Sequence, residues 1–385
     1  MEEVQVVIVG AGPAGLATSA CLNHLNITNA VLEREDCYAS LWKKKSYDRL
    51  KLHLAKQFCE LPYMPFPSDT PTYVPKNLFV QYLDTYVSHF NINPKCNRSV
   101  KSAFYDVDLE KWYVKVENTL SGAQEMYLGK FLVVASGENS VGYIPQVRGL
   151  DGFNGQAIHS SKYENGKKYG GKNVLVVGSG NSGMEIAYDL SNSGANTSIV
   201  VRSPVHVLSK EIVFFGMVLL KLLPVTIVDK VVVGLGKLKY GNLSKYGIQK
   251  PKQGPFYLKA TKGRSPTIDV GCIKKIKTRE ITVLPSITSI EGNLIRFENG
   301  IYNWYDAIIF ATGYKSSVLN WLKDDNCYFN DNGMPRKRFP DHWKSENGLY
   351  SAGFSSRGLL GIAHDAHCIA NDISSSLNLH YKKME

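Results

Sequence analysis

Two glycine-rich segments have the spacing of dinucleotide-binding turns. They are Gly10-Ala11-Gly12-Pro13-Ala14-Gly15 and Gly178-Ser179-Gly180-Asn181-Ser182-Gly183, which start 168 residues apart. In such a turn the first glycine allows a tight bend, the second lets backbone N–H groups approach a pyrophosphate, and the third packs a helix against a strand. The phosphates then lie at a helix N-terminus, which favours anions. The sequence therefore predicts that one chain binds two nucleotides.

The strands and helices that must position these turns are visible in the surrounding pattern. Apolar, β-branched runs at 4–9 and 174–177 precede the two turns, and a helical pattern follows each of them. A glycine turn between a strand and a helix is the context that makes the spacing specific. We therefore expect an α/β protein with two Rossmann-like dinucleotide-binding domains.

The residue after the next strand, roughly 20 positions beyond each turn, meets the ribose of the nucleotide. In the first unit this residue is Glu33, whose carboxylate accepts hydrogen bonds from ribose hydroxyls and repels a 2′-phosphate. The first turn therefore suits FAD or NAD. In the second unit the residue is Arg202, whose guanidinium can pair with a 2′-phosphate, so that turn suits NADP. The alternative interpretation of Arg202 is a solvated charge at a strand end.

FAD and NADPH on one chain would make a flavin oxidoreductase, and the cysteines indicate what accepts its electrons. The seven cysteines include no C-x-x-C pair and no other close pair. A disulfide reductase would keep such a pair beside the flavin. The absence of a dithiol leaves oxygen or a diffusing acceptor as the electron acceptor.

Further motifs give the chain its resemblance to flavin-containing monooxygenases. Phe153-x-Gly155-x-x-x-His159-x-x-x-Tyr163 matches the identifying sequence of that family, and Phe310-Ala311-Thr312-Gly313-Tyr314 matches its late motif. Segments at 39–43, 49–56 and 137–139 resemble the plant YUCCA branch, which converts indole-3-pyruvate to the auxin indole-3-acetate. The resemblance implies FAD and NADPH as cofactors, O2 and an aryl 2-oxo acid as substrates, and oxygenation through a flavin C4a-(hydro)peroxide.

The resemblance also implies which residues form the sites. His53 and Asn139 are the candidates for a catalytic role, and no metal site is expected. His159 and Tyr163 are expected to shape the NADP side, whereas His364 and His367 depart from the family pattern and bear on substrate identity. The expected cofactor-binding residues are Gly10, Ala11, Gly12, Pro13, Ala14, Gly15, Glu33, Arg34, Leu41, Trp42, His53, Gly178, Ser179, Gly180, Asn181, Ser182, Gly183 and Arg202.

The domain organisation is predicted from a pattern that occurs twice. Alternating segments around Ser121-Gly122 lead to a buried strand at 131–135, and similar segments around Glu291-Gly292-Asn293 lead to a second one at 307–311. These two strands indicate chain crossings. We therefore expect a discontinuous FAD domain, 1–144 and 286–385, with an NADPH domain inserted at 145–285.

Composition limits the function classes. A net charge of +11 and a pI near 9.1 allow nucleic-acid binding, but the basic runs lack a nucleic-acid fold and are interpreted as solvated faces that steer anionic ligands. The first strand begins by Val4, which leaves no room for a signal peptide, so a cytoplasmic protein is expected.

The apolar stretch 212–238 is the segment of the chain that suggests contact with a membrane. Lys221, Pro224, Asp229 and Lys230 interrupt it. No run reaches the ~18 uncharged residues of a spanning helix. We expect a pair of amphipathic helices, with peripheral contact to a membrane such as the endoplasmic-reticulum surface as an alternative.

Two other functions share every cofactor motif. One is an N- or S-oxygenase of a specialised metabolite, and the other is an uncoupled NADPH oxidase or redox-sensing flavoprotein. The shape of the substrate pocket and the exclusion of water from it would distinguish these two functions from the predicted one. Pocket shape and water exclusion cannot be deduced from the cofactor motifs.

Overall fold

The structure, a computed structural model, describes residues 1–323 and 327–377 and confirms the α/β class. Its strands are β1 (Glu2–Val9), β2 (Asn29–Leu32), β3 (Arg98–Asp106), β4 (Lys111–Asn118), β5 (Gln124–Val134), β6 (Val141–Gly142), β7 (Gln156–His159), β8 (Asn173–Val177), β9 (Asn196–Val200), β10 (Val207–Leu208), β11 (Thr267–Ile268), β12 (Ile281–Leu284), β13 (Ile287–Glu291), β14 (Leu294–Phe297), β15 (Tyr302–Trp304), β16 (Ala307–Phe310), β17 (Tyr314–Lys315) and β18 (Leu349–Ser351). Its α-helices are α1 (Pro13–His24), α2 (Ser40–Lys43), α3 (Lys76–His89), α4 (Asn181–Asn192), α5 (Lys210–Leu219), α6 (Val225–Tyr240), α7 (Pro255–Lys262), α8 (Cys272–Lys277) and α9 (Leu359–Ser376).

The chain forms two compact units. The first comprises 1–45, 55–141 and the described residues from 314 onward, and the second comprises 46–54 and 142–313. These bounds differ from the predicted ones, because the sequence analysis assigns 286–313 to the discontinuous domain. In the structure β16 pairs with β7 and β8, so it draws this segment into the second unit.

The sheet of the first unit has the strand order β2-β1-β5-β4-β3, with β18 also paired to β5. β1 is parallel to β2 and β5, whereas β4 is antiparallel to β5. The sequence predicts two strands at 125–128 and 131–135, but β5 is continuous because β1 pairs with it from Tyr127 to Val134, across the predicted break. Its first half pairs with β4 and its last residues pair with β18. The glycine turn follows β1 in this sheet.

The sheet of the second unit, β12-β9-β8-β16-β7, is parallel throughout. Alternate side chains of β8 face opposite sides, as strand geometry requires. Val174 and Val176 pack in the cluster that contains Met184 of α4, whereas Leu175 packs with Phe297 of the antiparallel β13-β14-β15 meander. This arrangement buries both faces of the sheet.

The predicted pair of helices within 212–238 is confirmed. α5 and α6 form the expected pair, in which Ile212, Val228 and Val232 are buried. α9 buries its apolar stripe, including Ile369 and Ile373. Within the two described ranges, no helix has both the length and the apolar character needed to cross a bilayer.

Candidate cofactor-binding sites

The three glycines of the first turn have three different environments. Gly10 has φ +108°, a left-handed backbone that side chains disfavour, and a Cβ there would lie 2.5 Å from the Ala135 carbonyl oxygen. A Cβ on Gly15 would lie 1.9 Å from the Gly10 oxygen, whereas one on Gly12 would meet no protein atom within 4 Å. The turn is therefore tight at both ends and open at Gly12, which sits at the N-terminus of α1. This open cradle fits a pyrophosphate.

The Glu33 carboxylate is hydrogen-bonded to the backbone of this turn. It is buried, and its Oε2 accepts a hydrogen bond from the Ala11 N–H at 2.9 Å while its Oε1 accepts one from the Glu35 N–H at 3.0 Å. Burial raises the pKa of Glu33, and these hydrogen bonds oppose that shift. The Ala39 N–H donates to the Ala11 carbonyl at 2.8 Å. The turn is thus connected both to the end of β2 and to the start of α2.

The neighbouring candidates of the first unit surround the same turn. α2 carries Leu41 and Trp42, and the Trp42 ring packs edge-on against Phe79 with 4.5 Å between centroids. Arg34 is exposed and donates from Nη2 to the Ser140 carbonyl at 3.2 Å. Asn139, the residue before this acceptor, is exposed. The segment that follows β5, which contains Asn139, is therefore hydrogen-bonded to Arg34, the residue after Glu33.

The second glycine turn repeats the geometry of the first. Gly178 has φ +115°, and a Cβ there would lie 2.5 Å from the Ala311 oxygen. A Cβ on Gly183 would lie 1.8 Å from the Gly178 oxygen, and one on Gly180 would meet nothing within 4 Å. Gly180 is also a helix N-cap, that of α4. The second unit therefore contains an equally open cradle for phosphates.

Two hydrogen bonds connect the second turn to β11. Thr267 donates from Oγ1 to the Ser179 carbonyl at 2.8 Å, and Asn181 accepts the Ile268 N–H on Oδ1 at 2.7 Å. Asn181 is predicted from the sequence to contact the nucleotide, and Thr267 is not among the predicted residues. In the structure Oδ1 of Asn181 also holds the turn in place by accepting the Ile268 N–H, while the predicted contact with the nucleotide stays a prediction.

Backbone register shows that Arg202 and Glu33 are not at equivalent positions. The Gly10 N–H donates to the Leu32 carbonyl at 2.8 Å, and the Gly178 N–H donates to the Val200 carbonyl at 3.2 Å. Leu32 therefore corresponds to Val200, so Val201 stands where Glu33 does and Arg202 lies one residue later. Glu33 and Arg202 are thus offset by one position, and binding of a 2′-phosphate by Arg202 stays a prediction. The strand-end position of the second unit carries no carboxylate, and the exposed Arg202 beside it has no hydrogen bond or ion pair with any described residue.

The two further motifs meet within the second unit. His159 ends β7, which pairs with β16, and its Nε2 lies 2.9 Å from the carbonyl oxygen of Gly313 in the late motif. Its Nδ1 accepts the Ser161 N–H at 3.1 Å, so Nε2 carries the proton that it donates to Gly313. Burial lowers the pKa of His159, and this favours the neutral ring. His159 therefore has a structural role in joining the motifs.

Tyr163 has a comparable structural role. It is buried, and its hydroxyl donates to Asp189 Oδ2 at 2.6 Å, an oxygen that also accepts the Gly166 N–H at 2.9 Å. A Cβ on Gly155 would lie 2.3 Å from the Asp306 carbonyl oxygen, so this motif glycine is required by close packing. The identifying motif therefore supports the edge of the second sheet.

His53 belongs to the second unit and faces a carboxylate that the sequence analysis misses. Its Nε2 lies 3.7 Å from Oε1 of Glu185, which is 2% exposed on α4. Burial raises the pKa of Glu185, but the His53 imidazole and other neighbours outweigh it and hold the pKa below its usual value. The signal in the sequence is an acidic residue within the otherwise apolar run Met184–Ala187.

The two unexpected histidines of α9 have different neighbours. His364 Nε2 lies 3.6 Å from Cys368 Sγ, while His367 Nδ1 lies 3.4 Å from the Tyr63 hydroxyl. Burial lowers the pKa of His367. The structure therefore does not bring the two imidazoles to one common partner.

Known proteins match nearly the whole chain. The flavin-binding monooxygenase-like family matches residues 3–340. The probable indole-3-pyruvate monooxygenase YUCCA10 of Arabidopsis thaliana is 56% identical over 97% of this chain and 98% of its own, and the probable indole-3-pyruvate monooxygenase YUCCA8 of the same plant is 45% identical over 98% and 90%. A solved flavin-containing monooxygenase from Stenotrophomonas maltophilia superposes with a TM-score of 0.73 at 18% identity, covering 98% of this chain and all of the other. At 18% identity, the similarity to this solved structure shows a shared fold alone.

Proposed function

The chain belongs to the flavin-binding monooxygenase-like family, and we propose that it uses FAD, NADPH and O2 to decarboxylate indole-3-pyruvate oxidatively. Indole-3-acetate is then the product, as in auxin biosynthesis. The observation that carries the substrate is the 56% identity, over 97% of the chain, to a probable indole-3-pyruvate monooxygenase. The cofactors have an independent support, because both glycine turns present open cradles at helix N-termini.

We assign FAD to the first cradle and NADPH to the second. Glu33 at the first turn disfavours a 2′-phosphate, whereas the second unit replaces it with Val201 and places the exposed Arg202 next to it. The backbone N–H groups at the starts of α1 and α4 would hold the two pyrophosphates. FAD, when bound, supplies hydride acceptance and oxygen activation, which side chains alone do not provide.

The protein's contribution is then orientation and exclusion of water. For each indole-3-pyruvate consumed, one O2 and one NADPH with a proton would yield indole-3-acetate, CO2, water and NADP+. One oxygen atom enters the new carboxylate and the other leaves as water, while the bond between the keto carbon and the original carboxylate breaks. Loss of CO2 from the oxygenated substrate requires no side chain to act as an acid or base.

Product analysis tests this function. We expect the flavin-loaded enzyme, given NADPH and indole-3-pyruvate in air, to form indole-3-acetate and CO2 in equal amounts, with one oxygen atom of 18O2 in the acetate. The same assay with a tertiary amine and a sulfide examines N- and S-oxygenation. An amine or sulfide oxide without any acetate would replace the proposal with an N- or S-oxygenase, and hydrogen peroxide alone would indicate an uncoupled oxidase.

The small-molecule substrate and O2 follow from the family, and contact with a membrane surface is a separate proposal. The connection between α5 and α6 presents Leu222, which is 80% exposed, beside Leu223 at 39% and the exposed Lys221. Apolar side chains flanked by a lysine suit the interface of an anionic bilayer. The occupant we propose is therefore an anionic lipid surface.

Vesicle sedimentation tests this contact. We expect Leu222→Ser to reduce the fraction bound to phosphatidylserine-containing vesicles several-fold, because it removes roughly 1.5–3 kcal/mol of apolar burial. Leu120→Ser is the matched control, since Leu120 is 79% exposed in the β4–β5 hairpin of the first unit, whereas Leu222 belongs to the second. Equal binding of wild type and both variants would contradict the contact.

A further inference from the structure

The short segment that carries His53 is attached to α4 through its side chains. The Tyr47 hydroxyl interacts with Glu185 of that helix, and the Arg49 guanidinium lies 4.5 Å from the centre of the Tyr188 ring, a cation–π contact. His53 adds a third contact, with Nε2 3.7 Å from Oε1 of Glu185. Because the segment and α4 belong to the same unit, these contacts fix the imidazole relative to the helix that follows the second glycine turn.

Glu185 is the centre of these contacts. It is buried on α4 and has both His53 and Tyr47 as partners. Burial raises the pKa of Glu185, but His53, Tyr47 and Arg49 together hold it below its usual value, so the carboxylate is ionised at neutral pH. Burial and the nearby carboxylate raise the pKa of Tyr47, so its phenol stays protonated. A buried anion therefore faces Nε2 of the imidazole.

A carboxylate beside one ring nitrogen determines which nitrogen of a histidine exchanges its proton. An ionised carboxylate only accepts hydrogen bonds, so Nε2 of His53 keeps its proton in the neutral and in the charged ring. The proton on Nδ1 is then the one that is gained and lost. The His53 side chain is 28% exposed although its Nε2 is buried, so the exposed part of the ring lies away from Glu185.

We propose that Glu185 is the positioning residue of His53, whose Nδ1 carries the proton that each turnover consumes. This role rests on the proposed function, whose reaction takes up one proton for each indole-3-pyruvate. Nδ1–H gives its proton to the oxygen atom that leaves as water, and Nδ1 regains a proton from solvent, with no electron transferred. A buried carboxylate that orients an imidazole is an arrangement suited to such proton transfer.

Glu185→Gln in the flavin-loaded enzyme is the first test, since it removes the charge and keeps the shape. We expect kcat for indole-3-acetate to fall on the order of 10- to 100-fold, because the ring that carries the proton loses its orientation. The KM for NADPH and the flavin content should stay unchanged. Glu185→Asp, which keeps the charge, should retain more of kcat, and Glu211→Gln, which removes an exposed carboxylate of α5, should change nothing.

A second substitution separates positioning from a general structural role. Since Glu185 acts through His53, Glu185→Gln should lower kcat no further in a protein that already carries His53→Gln. Two independent contributions would instead multiply. The comparison uses kcat of the wild type, the two single variants and the double variant, each loaded with flavin and saturated with NADPH.

Chemical modification examines the same pair without turnover. Diethyl pyrocarbonate acylates an unprotonated imidazole nitrogen, and mass spectrometry of peptides measures the rate at each histidine. At mildly alkaline pH we expect the rate at His53 to fall several-fold in Glu185→Gln, because the facing carboxylate makes Nδ1 a stronger nucleophile. The exposed His364 of α9 is the internal control and should react equally in both proteins.

A slower modification of His53 in Glu185→Gln would support its positioning even if the wild type forms no indole-3-acetate, in which case the proposed function alone fails. Equal modification of His53 in the two proteins would reject the positioning role. Losses of kcat that multiply in the double variant, a His53→Gln enzyme with the kcat of the wild type, or a parallel rise in the KM for NADPH would overturn it as well.

Discussion

Gly12→Val should yield a folded protein that is purified with less than about one tenth of the wild-type flavin. The structure explains why the loss is selective: a Cβ at Gly12 meets no protein atom within 4 Å, and its φ of −74° and ψ of 178° suit valine. The isopropyl group would instead occupy the space through which a pyrophosphate approaches the backbone. Flavin absorbance per mole of protein, together with circular dichroism, measures both effects.

The second turn provides a matched control for this variant. Gly180→Val places the same side chain in the equivalent open cradle, so it should abolish NADPH-dependent reduction while the flavin remains bound. Gly15→Ala should behave differently from both, because its Cβ would lie 1.9 Å from the Gly10 oxygen and would disturb the fold itself. Full flavin occupancy in a folded Gly12→Val protein would remove FAD from the first cradle.

Arg202→Ala should lower the preference for NADPH over NADH on the order of 10- to 100-fold. The expected cause is the loss of one charge-assisted contact to the 2′-phosphate, about 1.5–3 kcal/mol. Because Arg202 is exposed and has no partner among the described residues, its removal should not destabilise the protein. The ratio of kcat/KM for the two nicotinamide cofactors measures the preference.

Arg34→Ala is the positional control, since backbone register places Arg34 where Arg202 lies in the second unit. It should leave the ratio of the two nicotinamide cofactors unchanged, although it removes the contact with the Ser140 carbonyl. An equal fall of kcat/KM with NADPH and NADH in Arg202→Ala would instead assign Arg202 a structural function.

Comparison of positions 33 and 201 shows why the preference for NADPH over NADH is best tested by substitution of Arg202. Glu33 and Val201 occupy corresponding strand-end positions, and only the first carries a carboxylate. The sequence alone shows a glutamate and an arginine at similar distances from their turns. Glu33 lies 23 residues after Gly10 and Arg202 lies 24 residues after Gly178. The hydrogen bonds from Gly10 and Gly178 show that this difference is an offset of one residue in the structure.

The amino-acid sequence by itself determined the features that depend on neighbours in the chain. The glycine turns are the clearest case, because a positive φ at Gly10 and Gly178 and close packing at Gly15 and Gly183 are requirements of a short segment. The α5–α6 pair and the buried stripe of α9 likewise follow from helical periodicity. Such signals specify local geometry, and through the glycine spacing they indicate the class of ligand.

Only the tertiary structure decided which distant residues meet. β16 joins the second sheet, and Glu185 faces His53 across 132 positions of the chain. Strand order and the convergence of side chains result from long-range pairing and burial, whose free energy is shared across the whole unit. A local pattern of residue types does not encode these contacts, so the cradles were predictable and the approach of Glu185 to His53 was not.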